Sequence, residues 1–355
     1  MSAGQLVLAV EIDGDGAHPA AWRHAAHAPG ALLDPRRVRA VARIAENAGF
    51  GLVTLADDLV PPGGTPHISG RIGAVERAAF IAAVTSVVGI APVVSTTYAE
   101  PFHVSSQLAS IDHVSNGRGG WVVGVSAAEA AARAWGRPLV GDAPARAREA
   151  TDSARVVRDL WDSWEDDAVI RDVATSRYLD RDRLHYIDFT GRTFAVKGPA
   201  IVPRPPQGQL VVFAEHDLLP ADLVDVALVG TPARTDSPRT FAEIEVALDT
   251  PAASAADRVA ELDRFTAFPA RNRLRYTGSA EGFVALLTDL AAAVDGVRLH
   301  PLVLDDDLAV LSRLVLPALF RARIATRPLP GATLRDTLGL PRPDNRYATA
   351  QGTAR

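Results

Sequence analysis

Asp57 and Asp58 close an apolar run, Leu52–Asp57. A carboxylate there can act as a base, bond a polyol, or cap the segment that follows, the ordinary use of a lone aspartate. Thr96 and Thr97 close the next run, Val87–Thr96, with hydroxyls that donate or accept in a pocket. Ser126 closes another, Gly120–Ser126. His18, Trp22, His24 and His27 follow the first apolar run. Several histidines invite a metal reading, but the carboxylates to complete such a site are not regularly spaced. The expectation is a substrate-facing wall of His18, Trp22 and His24, and no metal. His103 and His113 fall on a helical pattern, and His300 within the last apolar run. There is no nucleophile elbow, Walker loop or H-E-x-x-H, so no catalytic residue is assigned.

Groups gathered at the ends of apolar runs need strands to hold them. Candidate strands are Leu6–Ile12, Leu52–Asp57, Val87–Thr96, Gly120–Ser126, Leu210–Ala214, Val224–Gly230, Phe241–Leu248 and Val297–Leu304. Several are continuously apolar, as strands buried on both faces of a parallel sheet must be. Helical patterns occupy Pro35–Ala48, Ala74–Ser86, Phe102–Val114, Arg146–Trp161, Ala252–Arg264, Ala280–Val294 and Leu308–Ala322. Asp34 and Pro35 start the first of these and Gly49 stops it.

The alternation predicts an α/β protein, a (β/α)8 TIM barrel, with a doubly wound open sheet as the alternative. No G-x-G-x-x-G follows the first strand, which disfavours a dinucleotide-binding domain. Two regions are irregular. Residues 162–207 form a polar excursion long enough to be a functional insertion or lid. The stretch from Ala214 to Thr240 is too short for two helices, predicting a thin wall around strands 5–7. The chain is read as one barrel over residues 1–330 and an extension over 331–355 that wraps the outside of the fold.

Composition narrows the function classes. The 355 residues are 48% hydrophobic and 22% charged, enough for a large core under an ordinary soluble surface. A net charge of −5 with interleaved signs argues against nucleic-acid or membrane-surface binding. With no cysteine, disulfides, thiolate metal sites and cysteine nucleophiles are excluded. No signal-like start or span of membrane length is present, and a cytoplasmic location is expected.

Six segments together resemble one family. They are HPAAWR (His18–Arg23), LADDL (Leu55–Leu59), STTYAEPFHVSSQLASIDHVSNGRGGW (Ser95–Trp121), LWDSWEDDAVIRD (Leu160–Asp172), VPRPPQG (Val202–Gly208) and LRDTLGLPRPDNRYA (Leu334–Ala348). In this order they resemble the bacterial luciferase-like flavin monooxygenases, in the branch acting on nitrilotriacetate, EDTA and dibenzothiophene sulfone. The resemblance implies a luciferase-like barrel and oxygenation of a small organic substrate by O2 and reduced FMN. The flavin would come from a separate NAD(P)H:flavin reductase, and a homo-oligomer is implied. By position, Asp57 would contact the flavin, Thr97 with Thr96 would line its ring pocket, and Ser126 would match a serine of the next strand.

The chain departs from the pattern where the flavin phosphate should sit. Val122 replaces the asparagine of G-W-N, and Ala143 and Ala147 stand for a histidine and a tyrosine. Where the family reads Q-A-G-x-S after the fifth strand, this chain reads AEHD, Ala214 to Asp217. Arg146 or Arg148 would have to supply the anion's partner. Two alternatives follow: a degenerate barrel that binds flavin weakly or not at all and serves as a partner protein, and an oxidoreductase using the deazaflavin F420.

Overall fold

In the computed structural model, which describes residues 5–60 and 70–348, eight parallel strands close into a ring. They are β1 Val7–Glu11, β2 Leu52–Leu55, β3 Gly89–Ser95, β4 Gly120–Gly124, β5 Val211–Glu215, β6 Val226–Val229, β7 Arg239–Leu248 and β8 Gly296–Pro301. β8 pairs with β1, and β6 pairs with β7, which completes the closure. Each expected strand is present, shifted by a residue or two at its ends.

Alternate residues of a strand point to opposite faces. One set, including Val7, Ala9, Val211, Phe213 and Phe241, packs inside the ring. The other, including Leu8, Val10, Val53, Val212 and Val297, meets the surrounding helices. Both sets are buried, hence the unbroken apolar runs.

The helices are α1 Pro35–Ala48, α2 Ala74–Val84, α3 Pro101–Val114, α4 Ala143–Asp162, α5 Ala255–Phe265, α6 Ala280–Leu290 and α7 Leu304–Val310. After α7 the chain runs on through a π-helical turn, Leu311–Val315, into Leu316–Arg321. The Asp34 side chain accepts the Arg36 N–H at the start of α1, and Gly49 ends it in the left-handed region at φ 96°.

No α-helix covers the wall between β5 and β7. The link from β5 to β6 holds a single 3-10 turn, Ala221–Leu223, and that from β6 to β7 holds no helix. The thin wall is repaired by a strand the sequence did not suggest, Leu274–Gly278. The lower half of β7 pairs with β6, Val226↔Arg239 to Val229↔Ala242, and its upper half pairs with this strand, Ile244↔Leu274 to Leu248↔Gly278. The two segments lie end to end beside β7. At their junction a side chain on Gly230 would collide with the Asn272 backbone.

Two expectations about position are corrected. The C-terminal segment does not wrap the outside. Its helix α8, Leu334–Leu338, lies at the amino-terminal end of the barrel, with Leu334, Leu338 and Leu340 inside the inner core. Added methyls on Gly89 and Gly120 would stand 2.6 and 2.9 Å from the Leu334 methyls, so these glycines are the sockets that admit it. Residues 349–355 lie outside the described residues.

Nor is the 162–207 excursion a lid. It leaves from the carboxyl end of α4, which a parallel barrel places opposite the ligand-binding mouth. There it forms two small hairpins packed on Val156 and Leu160 of α4. Arg204 bonds Asp162 and the Pro343 carbonyl, and His185 stacks on Tyr347 at 4.2 Å, fixing the C-terminal segment to it.

Candidate functional site

The carboxyl ends of β2, β3 and β4 open into a cavity of about 1030 Å³, lined by Asp57, Ser95, Gly124, Ser126, His103 and Trp135 among others. Asp57 and Ser126 therefore reach one cavity, as expected by position. Asp57 is also a cap: one carboxylate oxygen accepts the Asp58 N–H at 2.8 Å and the other the Ala74 N–H at 2.6 Å, the first residue of α2. Asp57→Ala is expected to cost about 1–2 kcal/mol through these lost charge-assisted bonds, measured by urea unfolding.

Thr96 and Thr97 do not line this cavity. Both are buried, and their hydroxyls tie β3 to β4: Thr96 Oγ1 donates to the Gly124 carbonyl at 3.1 Å, and Thr97 Oγ1 accepts the Ser126 N–H at 3.1 Å. They set the positions of Gly124 and Ser126 rather than contacting a ligand directly. Ser95, just before them at the end of β3, supplies the wall instead. Tyr98, with φ 70°, carries the chain over the strand end, and its hydroxyl accepts the Val140 N–H at 3.3 Å.

A second cavity, of about 310 Å³, adjoins the first at Gly70 and Arg71 and holds His18, Trp22, Asp13 and Glu11. His24 is not part of it; it lies in a separate surface cleft, 3.8 Å from Glu261. The intervening 3-10 turn, Ala21–His24, points Trp22 and His24 to different sides. His18 is buried, with Nδ1 accepting the Ala20 N–H at 3.0 Å, which leaves the proton on Nε2, 3.2 Å from Asp263. Burial lowers its pKa, the Asp263 bond opposing. His18 is thus a neutral strut that pins the loop after β1 to α5, with no free nitrogen for proton transfer.

The floor of this cavity holds the groups that sequence reading missed. Glu11 ends β1, Glu243 lies on β7, and Arg298 and His300 lie two residues apart on β8; all point inward. Arg298 donates to Glu11 at 2.6 Å, Glu243 at 2.8 Å and Thr54 Oγ1 at 3.0 Å. His300 faces Glu11 from Nδ1 and Glu243 from Nε2, both at 3.1 Å. Burial works against ionisation of the two glutamates, but His300 and Arg298 outweigh it. Glu11 sits below the ordinary carboxylate range, and Glu243 is lowered to about 2. Asp13 shows the reverse balance: burial raises its pKa despite ion pairs with Arg77 and Arg71. The only sequence signal was charge at alternate positions of apolar strands, Glu243 and Glu245 in AEIEV and Arg298 and His300 in VRLHP.

A third cavity, of about 450 Å³, lies at the carboxyl end of β5. It brings together the residues aligned with a flavin phosphate site: Ala147, Arg148, Glu215 and Asp217, with Asp236 opposite. Arg146 does not take part, because its guanidinium is spent on the Val140 and Gly141 carbonyls at 3.0 and 2.9 Å. His216 lies 3.4 Å from Asp217. Apart from that imidazole, Arg148 is the one basic side chain described in this wall, facing three carboxylates. The set is rich in acceptors and poor in donors, so it does not fit the dianionic phosphate of FMN. The cavity over β2–β4 has the size and the mixed polar and apolar lining of an organic-ligand site. Among the described residues, no group of His, Cys, Asp or Glu is placed to hold a metal, and no helix is long and apolar enough to cross a membrane.

The model of the family described as luciferase-like monooxygenase matches residues 16–304. N-acetyl-S-(2-succino)cysteine monooxygenase of Bacillus subtilis (strain 168) is 36% identical over 209 residues, 59% of this chain and 47% of that protein. One of the two components of pristinamycin IIA synthase of Streptomyces pristinaespiralis is 32% identical over 313 residues, 86% of this chain and 89% of that protein. The chain thus spans about half the length of the first relative and most of the second. The crystal structure of EDTA monooxygenase from Chelativorans sp. BNC1 superimposes with a TM-score of 0.79 at 20% identity, covering 95% of this chain and 99% of that one.

Proposed function

This chain belongs to the luciferase-like monooxygenase family, and from that premise we propose that it is the oxygenating component of a two-component flavin monooxygenase acting on a small organic substrate. The observation carrying this reading is the cavity over β2–β4, with Asp57, Ser95 and Ser126 in its wall and Trp135 at its rim. Its walls offer hydroxyls, a carboxylate and apolar side chains, suited to holding a planar heterocycle and excluding water. Reduced flavin would supply the oxygen-activating chemistry, arriving from a separate NAD(P)H-dependent reductase. The chain itself orients ligands: Thr96 and Thr97 fix the ends of β3 and β4, and Asp57 fixes α2 beside them. The smaller cavity, open beside it at Arg71, is the natural place for the substrate.

A second reading has its own support. The pristinamycin IIA synthase relative, matched over nearly its whole length, is named as a subunit, and the β5 end of this chain is lined by carboxylates. On this reading the chain is the flavin-free member of a pair and works by binding a partner protein.

Anaerobic calorimetric titration with reduced FMN, reduced riboflavin and reduced F420 separates the two. Saturable binding of a flavin, followed by reductase-dependent O2 uptake with candidate substrates, is the expected result. If no flavin binds, the oxygenating role fails and the partner-binding reading stands. Binding of F420 alone would move the chain to deazaflavin-dependent oxidoreduction.

A further inference from the structure

We propose that the flavin selected by this chain is the unphosphorylated one, riboflavin, in preference to FMN; the inference rests on the flavin-binding reading above. The two ligands differ at one place, the end of the ribityl chain. There FMN carries a phosphate that only accepts hydrogen bonds at neutral pH, and riboflavin carries a hydroxyl that donates one. The residues aligned with that end do come together in space, around the cavity at the carboxyl end of β5. Their chemistry has turned over: Glu215 and Asp217 stand where glycine and a hydroxyl are expected, and Ala147 where a tyrosine hydroxyl is expected.

A carboxylate cannot serve a phosphate without a shared proton or cation, but it is a strong acceptor for a ribityl hydroxyl. Arg148 offers one positive charge against Glu215, Asp217 and Asp236, which leaves the wall net negative. Asp217 sits at φ 67°, a conformation that aspartate and asparagine tolerate better than most residues, so its carboxylate is presented by the backbone of the turn itself. The side chain of F420 is also anionic, and the same wall opposes it.

The test is anaerobic titration of the purified protein with reduced riboflavin and reduced FMN at low salt. Riboflavin is expected to bind about tenfold more tightly, and the gap to narrow at about 0.5 M salt, because these carboxylates are exposed and screened. The variant carrying Glu215→Gln and Asp217→Asn removes both charges while keeping shape and the tolerated backbone angle. It should raise FMN affinity about tenfold and leave riboflavin within about twofold. Equal or tighter binding of FMN by the unmodified protein, or an FMN affinity that neutralisation leaves unmoved, would overturn the selectivity while leaving flavin binding intact. No binding of either ligand would overturn the flavin-binding reading, and this one with it.

Discussion

Replacing Arg298 with methionine is expected to cost about 3–5 kcal/mol of stability at pH 7, because it leaves two buried glutamates without their shared cation. Arg298 is 5% exposed and bridges Glu11, Glu243 and Thr54 across three strands of the ring. Methionine keeps most of the volume, so the loss is electrostatic rather than a cavity. The pH dependence identifies the cause. Burial disfavours the charge of Glu243, but Arg298 and His300 overcome this and lower its pKa from 4.5 to about 2. Its contribution is therefore present above about pH 4.5 and is lost as the pH falls towards 2. Glu11 behaves alike. Without Arg298 the same carboxylates take up protons at higher pH, so the stability gap between the two proteins should shrink between pH 7 and pH 3.

The gap must be taken at each pH, because other groups trend the opposite way in both proteins. Burial raises Asp112 from 3.8 to about 6, although Gly119 and Gln207 bond its charged form. Protonating it as pH falls through 6 favours the folded state. Urea unfolding of both proteins at several pH values checks the prediction, and a gap that stays constant with pH would contradict it.

Leu334→Ala should cost about 2–5 kcal/mol, as large-to-small changes in a rigid core do. Leu334 is 1% exposed and fills the amino-terminal end of the barrel between Gly89 and Gly120. The two sides of that fit can be tested against each other. Gly120→Ala alone forces a methyl to within 2.9 Å of Leu334, and is destabilising. With Leu334→Ala in place, the same methyl enters the space just vacated. The double variant should be more stable than the sum of the single effects by about 0.5–3 kcal/mol. Strict additivity would mean that Leu334 does not occupy the Gly120 socket.

The barrel strands were legible because burial on both faces leaves unbroken apolar runs such as LVLAV and LVVFA, and because Asp34, Pro35 and Gly49 punctuate α1. Leu274–Gly278 was not, since LRYTG is short and partly polar, and its partner is the upper half of β7 rather than a neighbour in sequence. LRDTLGL reads as a polar, proline-flanked tail; only the glycines far upstream make room for its leucines. At the candidate site, Asp57 and Ser126 stood out as polar strand ends. Glu11, Glu243, Arg298 and His300 were hidden because the cluster exists only once strands distant in sequence close into a ring. Proximity to a strand end did not separate Thr96 and Thr97, which brace the wall, from Ser95, which forms it.

The stave beside β7 is spliced from two pieces, Val226–Val229 below and Leu274–Gly278 above, abutting at Gly230 and Asn272. The ring closes through the lower piece alone. The upper piece arrives on an excursion that leaves after Leu248, passes through α5 and returns at Leu274. That excursion also carries Asp263, the anchor of His18, and Arg273 and Arg275, the ion-pair partners of Glu245. One rim of the mouth is therefore delivered as a cassette, clipped onto a ring whose hydrogen bonding is already complete. In a lineage, residues 249–278 can be exchanged or lengthened to reshape what the mouth admits while the ring beneath keeps its register. The barrel thereby separates the part of itself that must be inherited intact from the part that is free to vary.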